Sequence, residues 1–182
     1  MAEQSKLDAV ALLKADHRKV EGLFEKFESA KDTSKKQSLV QEICTELCVH
    51  TLIEEEIFYP ACTGEIEDDV LHEAYVEHDG AKVLIAELLA SEPDAEFYNA
   101  KVKVLSEDIK HHVKEEERRA DGMFAQAKSA GLPLDDLGER LAARKKELLA
   151  KVKTEGLPTL ATRSFTGHKL SRSKPVPADA AT

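Results

Sequence analysis

Residues 39–61 read LVQEICTELCVHTLIEEEIFYPA, and the spacing of the apolar side chains in this stretch decides the fold. Leu39, Ile43, Leu47, Ile57 and Ala61 recur at steps of three and four, so at about 100° per residue they share one face of a helix. Two polar residues, His50 and Glu54, fill the gap in that stripe. A glutamate among apolar neighbours is costly unless it is paired or bound to a metal. The same face therefore predicts both a helix and a cation. The helix is expected over about residues 35–59, with Ser34 and Gln37 spaced as a capping box and Pro60 at its end.

Working outward, the same period appears three more times. Residues 6–30 carry Val10, Leu13, Val20, Phe24 and Phe27 on one face, with His17 in its middle. Ser5 is the expected N-cap, and Asp8 falls in the first turn. Residues 67–90 place Leu71, Ala74, Ala81, Ile85 and Leu88 around His78. A fourth helix is expected from Pro93 to Ala130, stopped by Gly131. Its stripe of Leu105, Ile109, Ala120 and Met123 encloses His112 and Glu116. A shorter fifth helix, about residues 134–154, has its stripe interrupted by Arg144 and Lys145. The links at 31–34, 61–66 and 91–93 are short, which forces antiparallel neighbours. The expectation is an all-α, up-down-up-down four-helix bundle over residues 1–131, then an accessory helix over 132–157 and a flexible basic tail over 158–182.

Composition agrees with a helical globular chain. Of 182 residues only 8 are Gly and 6 Pro, too few for the turns of a strand-rich fold. The net charge is −9, and the tail runs against it with Arg163, Lys169, Arg172 and Lys174 opposite Asp179. An acidic body argues against non-specific nucleic-acid binding and suits cations, although plain solubility explains it equally well. Cys44, Cys48 and Cys62 are too few and odd in number for a disulfide framework. No run reaches the roughly 20 apolar residues of a membrane span, and MAEQSKLDAV is not a secretory leader. A reducing cytoplasm is expected; the oligomeric state is not legible.

One histidine on an apolar stripe is usually a hydrogen-bonded core residue, and one His-x-x-x-Glu pair is cheap in a Glu-rich chain. Four histidines on four core faces, two with a glutamate one turn later, form a joint pattern that chance rarely gives. Imidazole nitrogen and carboxylate oxygen both suit iron. His72, His111 and His168 are expected at the surface. Cys44 and Cys48 are read as packing residues at a helix flank. The sequence lacks His-Glu-x-x-His, Cys-x-x-Cys, a phosphate loop and Gly-x-Ser-x-Gly. The ferritin-like di-iron pattern needs Glu-x-x-His on two helices, the reverse order at a different spacing.

The segments LLKADHRKVEGLF (12–24), HTLIEEEIFYP (50–60), AYVEHDGAKVLIAEL (74–88) and HHVKEEERRADGMF (111–124) together resemble the hemerythrin-like, or HHE cation-binding, family. Carried over position by position, the resemblance implies His17, His50, Glu54, His78, His112 and Glu116 as ligands of two non-haem iron ions, with the glutamates as bridges. Oxygen-carrying members have a further histidine where this chain has Ala74, and an aspartate spaced differently from Glu116. One metal is therefore expected to lack a nitrogen ligand, which favours reaction with O2, NO or hydrogen peroxide over reversible oxygen carriage. A sensing or iron-storage module, and a purely structural bundle, are the rival expectations. Manganese or zinc would fit the same donors, zinc without any redox step.

Overall fold

The computed structural model describes residues 7–165. Its elements are α1 (Ala9–Ser29), α2 (Thr33–Ile53), a π-helical turn (Glu54–Phe58), α3 (Tyr59–Cys62), α4 (Asp68–Leu89), α5 (Tyr98–Glu117), α6 (Met123–Ser129) and α7 (Leu134–Glu155). There is no strand among the described residues. Helices α1, α2, α4 and α5 form the antiparallel bundle: α1 packs on α2 and α5, and α4 on α2 and α5. The chain is all-α, as the four stripes predicted.

Several boundaries differ from expectation for local reasons. Helix α1 begins at Ala9 because Asp8 is its N-cap, accepting from the Ala11 amide at 2.7 Å; Ser5 lies outside the described residues. Helix α2 is capped by Asp32, which accepts from the Lys35 amide at 2.8 Å, so Ser34 donates to Asp32 instead of forming a capping box. Pro93 does not open the fourth helix. Residues 93–97 are turns, and α5 starts at Tyr98. That helix also stops early, at Glu117, where Arg118 turns extended. The chain then doubles back so tightly that a Cβ on Gly122 would lie 2.6 Å from the carbonyls of Arg118 and Glu115. The turn leaves Ala120 exposed and delivers Met123 and Phe124 into the core.

The second helix does not end before Pro60. It widens into the π turn, where the Tyr59 amide bonds to the Glu54 carbonyl, five residues back, and then continues to Cys62. Proline lacks an N–H and clashes with the carbonyl four residues earlier in an α-helix; the wider turn accommodates both defects. The additional residue rotates the helix beyond it. Phe58, Tyr59 and Cys62 are buried, while Ile57 and Ala61, the expected stripe, are only partly so.

Two apolar clusters result. One holds Phe24, Phe27, Ile43, Cys44, Cys48, Ile85 and Leu105. The other holds Leu13, Val49, Ile53, Phe58, Leu71, Met123 and Leu137. On α1, α2 and α4 the candidate histidines fall at the changeover from one cluster to the other; the apolar residues of α5 all belong to the first, and Met123 and Phe124 beyond it supply the second, so the polar band lies between the two. All three cysteines are buried and unpaired. Those on α2 are core residues rather than flank residues, and burial pushes each of the three thiols up to about 12.

Helix α7 lies along α1 and α2, burying Leu137, Leu141 and Leu148, each worth about 1.5–3 kcal/mol. Gly138 permits the approach, since a Cβ there would sit 2.5 Å from the Leu7 carbonyl. Residues 158–165, expected to be flexible, are fastened to α4. The Arg163 and Ser164 amides and the Ser164 hydroxyl donate to Asp79 Oδ2 at 2.6–2.8 Å. Buried Lys82 donates to the Ala161 carbonyl at 3.1 Å, and Leu157 and Leu160 pack on the core. Two charges buried on α4 need partners, and this segment supplies them. The rest of the expected tail, with His168, lies outside the described residues.

Candidate metal centre

The structure brings all six predicted residues together. His17, His50, Glu54 and Glu116 each offer one donor atom within 4.8 Å of the others, and so do Glu54, His78 and His112. All six are buried, Glu54 completely. His17 Nε2 faces His50 Nε2 at 3.1 Å, and His78 Nε2 faces His112 Nε2 at 3.2 Å. Glu54 lies between the two pairs, its Oε2 3.1 Å from His50 and 3.3 Å from His78. Glu116 spans them from the other side, 3.4 Å from His17 and 3.6 Å from His112.

Behind the imidazoles stands a second set of carboxylates. His17 Nδ1 meets Glu117 at 2.8 Å, His78 Nδ1 meets Glu55 at 3.2 Å, and His112 Nδ1 meets Glu77 at 2.7 Å. Asp16 stands 3.6 Å from His50 Nδ1. At His17, His78 and His112 a carboxylate at Nδ1 fixes the ring and points Nε2 inward, as the outer partners of metal-bound histidines do, while Asp16 faces His50 across a longer gap. Each of these acids is adjacent in sequence to a candidate ligand on its own helix: Asp16 before His17, Glu55 after Glu54, Glu77 before His78, Glu117 after Glu116. One residue is a 100° rotation, so each acid points sideways to the histidine of the next helix. The order before, after, before, after arises from helix direction. Reversing the chain reverses the sense of rotation, and the four acids all point the same way around the bundle.

Cations on the periphery hold this ring. Lys145 of α7 pairs with Asp16, and Arg144 with Glu56 in the π turn at 2.6 Å. The two charges that interrupt the α7 stripe are therefore paired with acids on α1 and in the π turn. Lys82 donates to Glu55 at 2.7 Å and to Asp79 at 3.0 Å.

The electrostatics are those of a site built for positive charge. Burial opposes ionisation of Glu54, yet His50 and His78 hold its carboxyl well below the usual range. Burial and Glu54 both oppose ionisation of Glu116, and His112 and His17 outweigh them. In return, against the opposition of burial, Glu54 and Asp16 push His50 up to about 10. Glu116 and Glu77 likewise raise His112 to about 9. Even so, both oxygens of Glu54, Oε2 of Glu116 and Nδ1 of His50 lack any well-directed hydrogen bond. Unsatisfied buried carboxylates, and imidazole nitrogens converging on them, are what cations relieve by displacing the protons those imidazoles hold. The donor set, four imidazole nitrogens and two carboxylates, fits a pair of divalent ions.

Sequence reading missed Tyr59. Its hydroxyl donates to Glu116 Oε1 at 3.0 Å and lies 3.1 Å from His78 Nε2. Burial, Glu116 and Glu54 raise this phenol well above its ordinary value. The π turn carries it inward, and no α-helical stripe would have found it. Among the other histidines, His72 and His111 are exposed, as expected.

Comparison with known proteins agrees with this geometry. The hemerythrin HHE cation-binding domain matches residues 8–123. A DNA nickase from Nostoc sp. is 29% identical over 106 residues, 58% of this chain, and the chain spans only 30% of that relative's length. The Mycobacterium tuberculosis protein Rv2633c, itself uncharacterised, is 26% identical over 143 residues, covering 78% of this chain and 88% of that one. The crystal structure of an HHE cation-binding domain-containing protein from Mycobacterium kansasii, a homologue of Rv2633c, superposes with a TM-score of 0.66 at 24% identity. It covers 82% of this chain and 94% of its own.

Proposed function

The chain belongs to the hemerythrin HHE cation-binding family, and on that premise we propose that it holds two non-haem iron ions and uses them on a small oxidant: O2, NO or hydrogen peroxide. The observation that carries this reading is the pair of buried glutamates whose oxygens find no donor between two opposed imidazole pairs. His17 and His50 would hold one ion, His78 and His112 the other, and Glu54 and Glu116 both. Bound iron supplies the electrons and Lewis acidity that the protein side chains lack.

The protein's part is to bind, orient and exclude water. The ring of Asp16, Glu55, Glu77 and Glu117 fixes the imidazoles. Phe124, stacked on His17 at 5.9 Å between ring centroids, and Phe58 wall the site off. Tyr59 places its proton at Glu116 Oε1, beside the His78–His112 pair. Ala74 is small enough to leave a cavity of about 30 Å³ reaching His112 and Glu116, room for one small molecule. With two imidazoles left for each ion, this opening supports reaction at the one that His78 and His112 would hold. Three cysteines without a disulfide support a reducing cytoplasm as the setting.

The test is to load the full chain anaerobically with ferrous iron, measure metal content, then add O2 or peroxide. Two irons per chain, a new near-ultraviolet absorption and loss of peroxide are expected. His112→Ala should remove one iron and the absorption. Two irons with neither spectral change nor peroxide consumption would leave a binding protein without turnover.

A sensing module is the second reading, favoured by one observation: Asp79, which anchors residues 163–164, directly follows His78. Amide exchange at 160–165 that differs between iron-loaded and iron-free protein would support it.

A further inference from the structure

We propose that Glu73, Glu77 and His111 form a surface site that captures a divalent cation and passes it inward, past Ala74, to the buried donors. This rests on the two-ion reading of the buried site and names the route by which that site is filled. The three side chains each offer one donor atom within 4.8 Å of the others. Glu77 connects outside to inside: its Oε1 is 3.4 Å from exposed His111 Nε2, while its Oε2 holds buried His112 Nδ1 at 2.7 Å.

An acidic cluster on a surface is common, and the second observation is the cavity behind this one. It lies beside Ala74 and is lined by Glu73 and Glu77 on α4 and by His112 and Glu116 on α5. Glu116 is 2% exposed, and its Oε2 has no hydrogen-bond partner. Two members of the outer cluster, Glu73 and Glu77, thus share the walls of one cavity with an inner carboxylate, and His111 stands beside Glu77 at its outer side. Arg118, paired with Glu115 and Asp121, sits in the turn that closes this end.

Size and charge select the traveller. At about 30 Å³ the cavity admits a bare ion or one molecule of a few atoms, not an ion with its full hydration shell. Water must be shed first, and two carboxylates and an imidazole can replace it outside. Field lines from several carboxylates converge on the opening, which draws in cations and repels anions.

The experiment uses the full chain stripped of metal, with cobalt(II) as probe, read by stopped-flow visible absorption of the ion bound by nitrogen and oxygen donors. Glu73→Gln and His111→Ala are exposed changes that leave the inner six donors in place. Each should slow uptake about tenfold at low ionic strength, with the final two-ion uptake unchanged. Ala74→Val, which fills the cavity and spares the outer cluster, should slow it as well. Full uptake at wild-type rates in all three variants overturns the route and leaves the inner site standing. Slower uptake that tracks a loss of final occupancy also overturns it. A wild-type chain that takes up no cobalt overturns this proposal together with the one it rests on.

Discussion

Glu54 and Glu116 approach imidazoles on four helices, and in the metal-free chain protons do the work that metal ions would do. His50, raised to about 10, and His112, raised to about 9, carry those protons at neutral pH. A raised histidine contributes stability fully present below its unfolded value of about 6.5, which fades as pH climbs through its folded value. Metal-free protein should therefore lose stability between about pH 6.5 and 10. Metal must displace the same protons, so apparent affinity should rise with pH over that window, and uptake at about pH 7 should acidify a weakly buffered indicator dye. Uptake without proton release would contradict the charge assignment. The six donors were legible in the sequence because a polar residue in an apolar stripe stands out. Asp16, Glu55, Glu77 and Glu117 left a fainter mark, an acid next to each candidate ligand, which carries meaning only once helix direction is known.

Four of the helices were visible as 3.6-residue stripes, but two departures from regular helix were not. A π turn keeps the composition of a helix and shifts its phase by one residue, so periodicity alone placed Ile57 and Ala61 where Phe58 and Cys62 are found. The break at 118–122 was hidden because Glu115–Arg119 reads as good helix. The contribution of α7 was equally obscure, since Arg144 and Lys145 look like flaws until their carboxylate partners are placed. Gly138→Ala tests how closely α7 must sit. Overpacking against the Leu7–Ala9 backbone should cost about 1–3 kcal/mol, seen as a lower melting temperature. The segment at 163–164 offers another test. Burial opposes ionisation of Asp79, but the hydrogen bonds from Ser164, Lys82 and Arg163 hold it down to about 2. A depressed carboxyl contributes stability present above its unfolded value of about 3.9 and lost as pH falls toward about 2. Proteolysis near residue 163 should accelerate over that interval, and Asp79→Asn should show the faster cleavage already at about pH 7.

At the scale of the molecule, two greasy layers enclose a polar band, and the band's occupancy should govern the whole. An ion at about 100 times its dissociation constant contributes about 2.7 kcal/mol to folding, which for a chain of this size is a rise of about 5–10 °C in melting temperature. Calorimetry before and after chelation measures it, and coincident melts would deny that the band holds ions. The burial of Cys44, Cys48 and Cys62 has its own practical consequence. Thiolate, not thiol, reacts with peroxide and with labelling reagents, and groups titrating near 12 are almost wholly protonated at about pH 7. A chain proposed to meet oxidants thus keeps its sulfur out of their reach while folded. Ellman's reagent should find no fast thiol in the native state and three after denaturation, which makes the colour it develops a stopwatch for the opening of the fold.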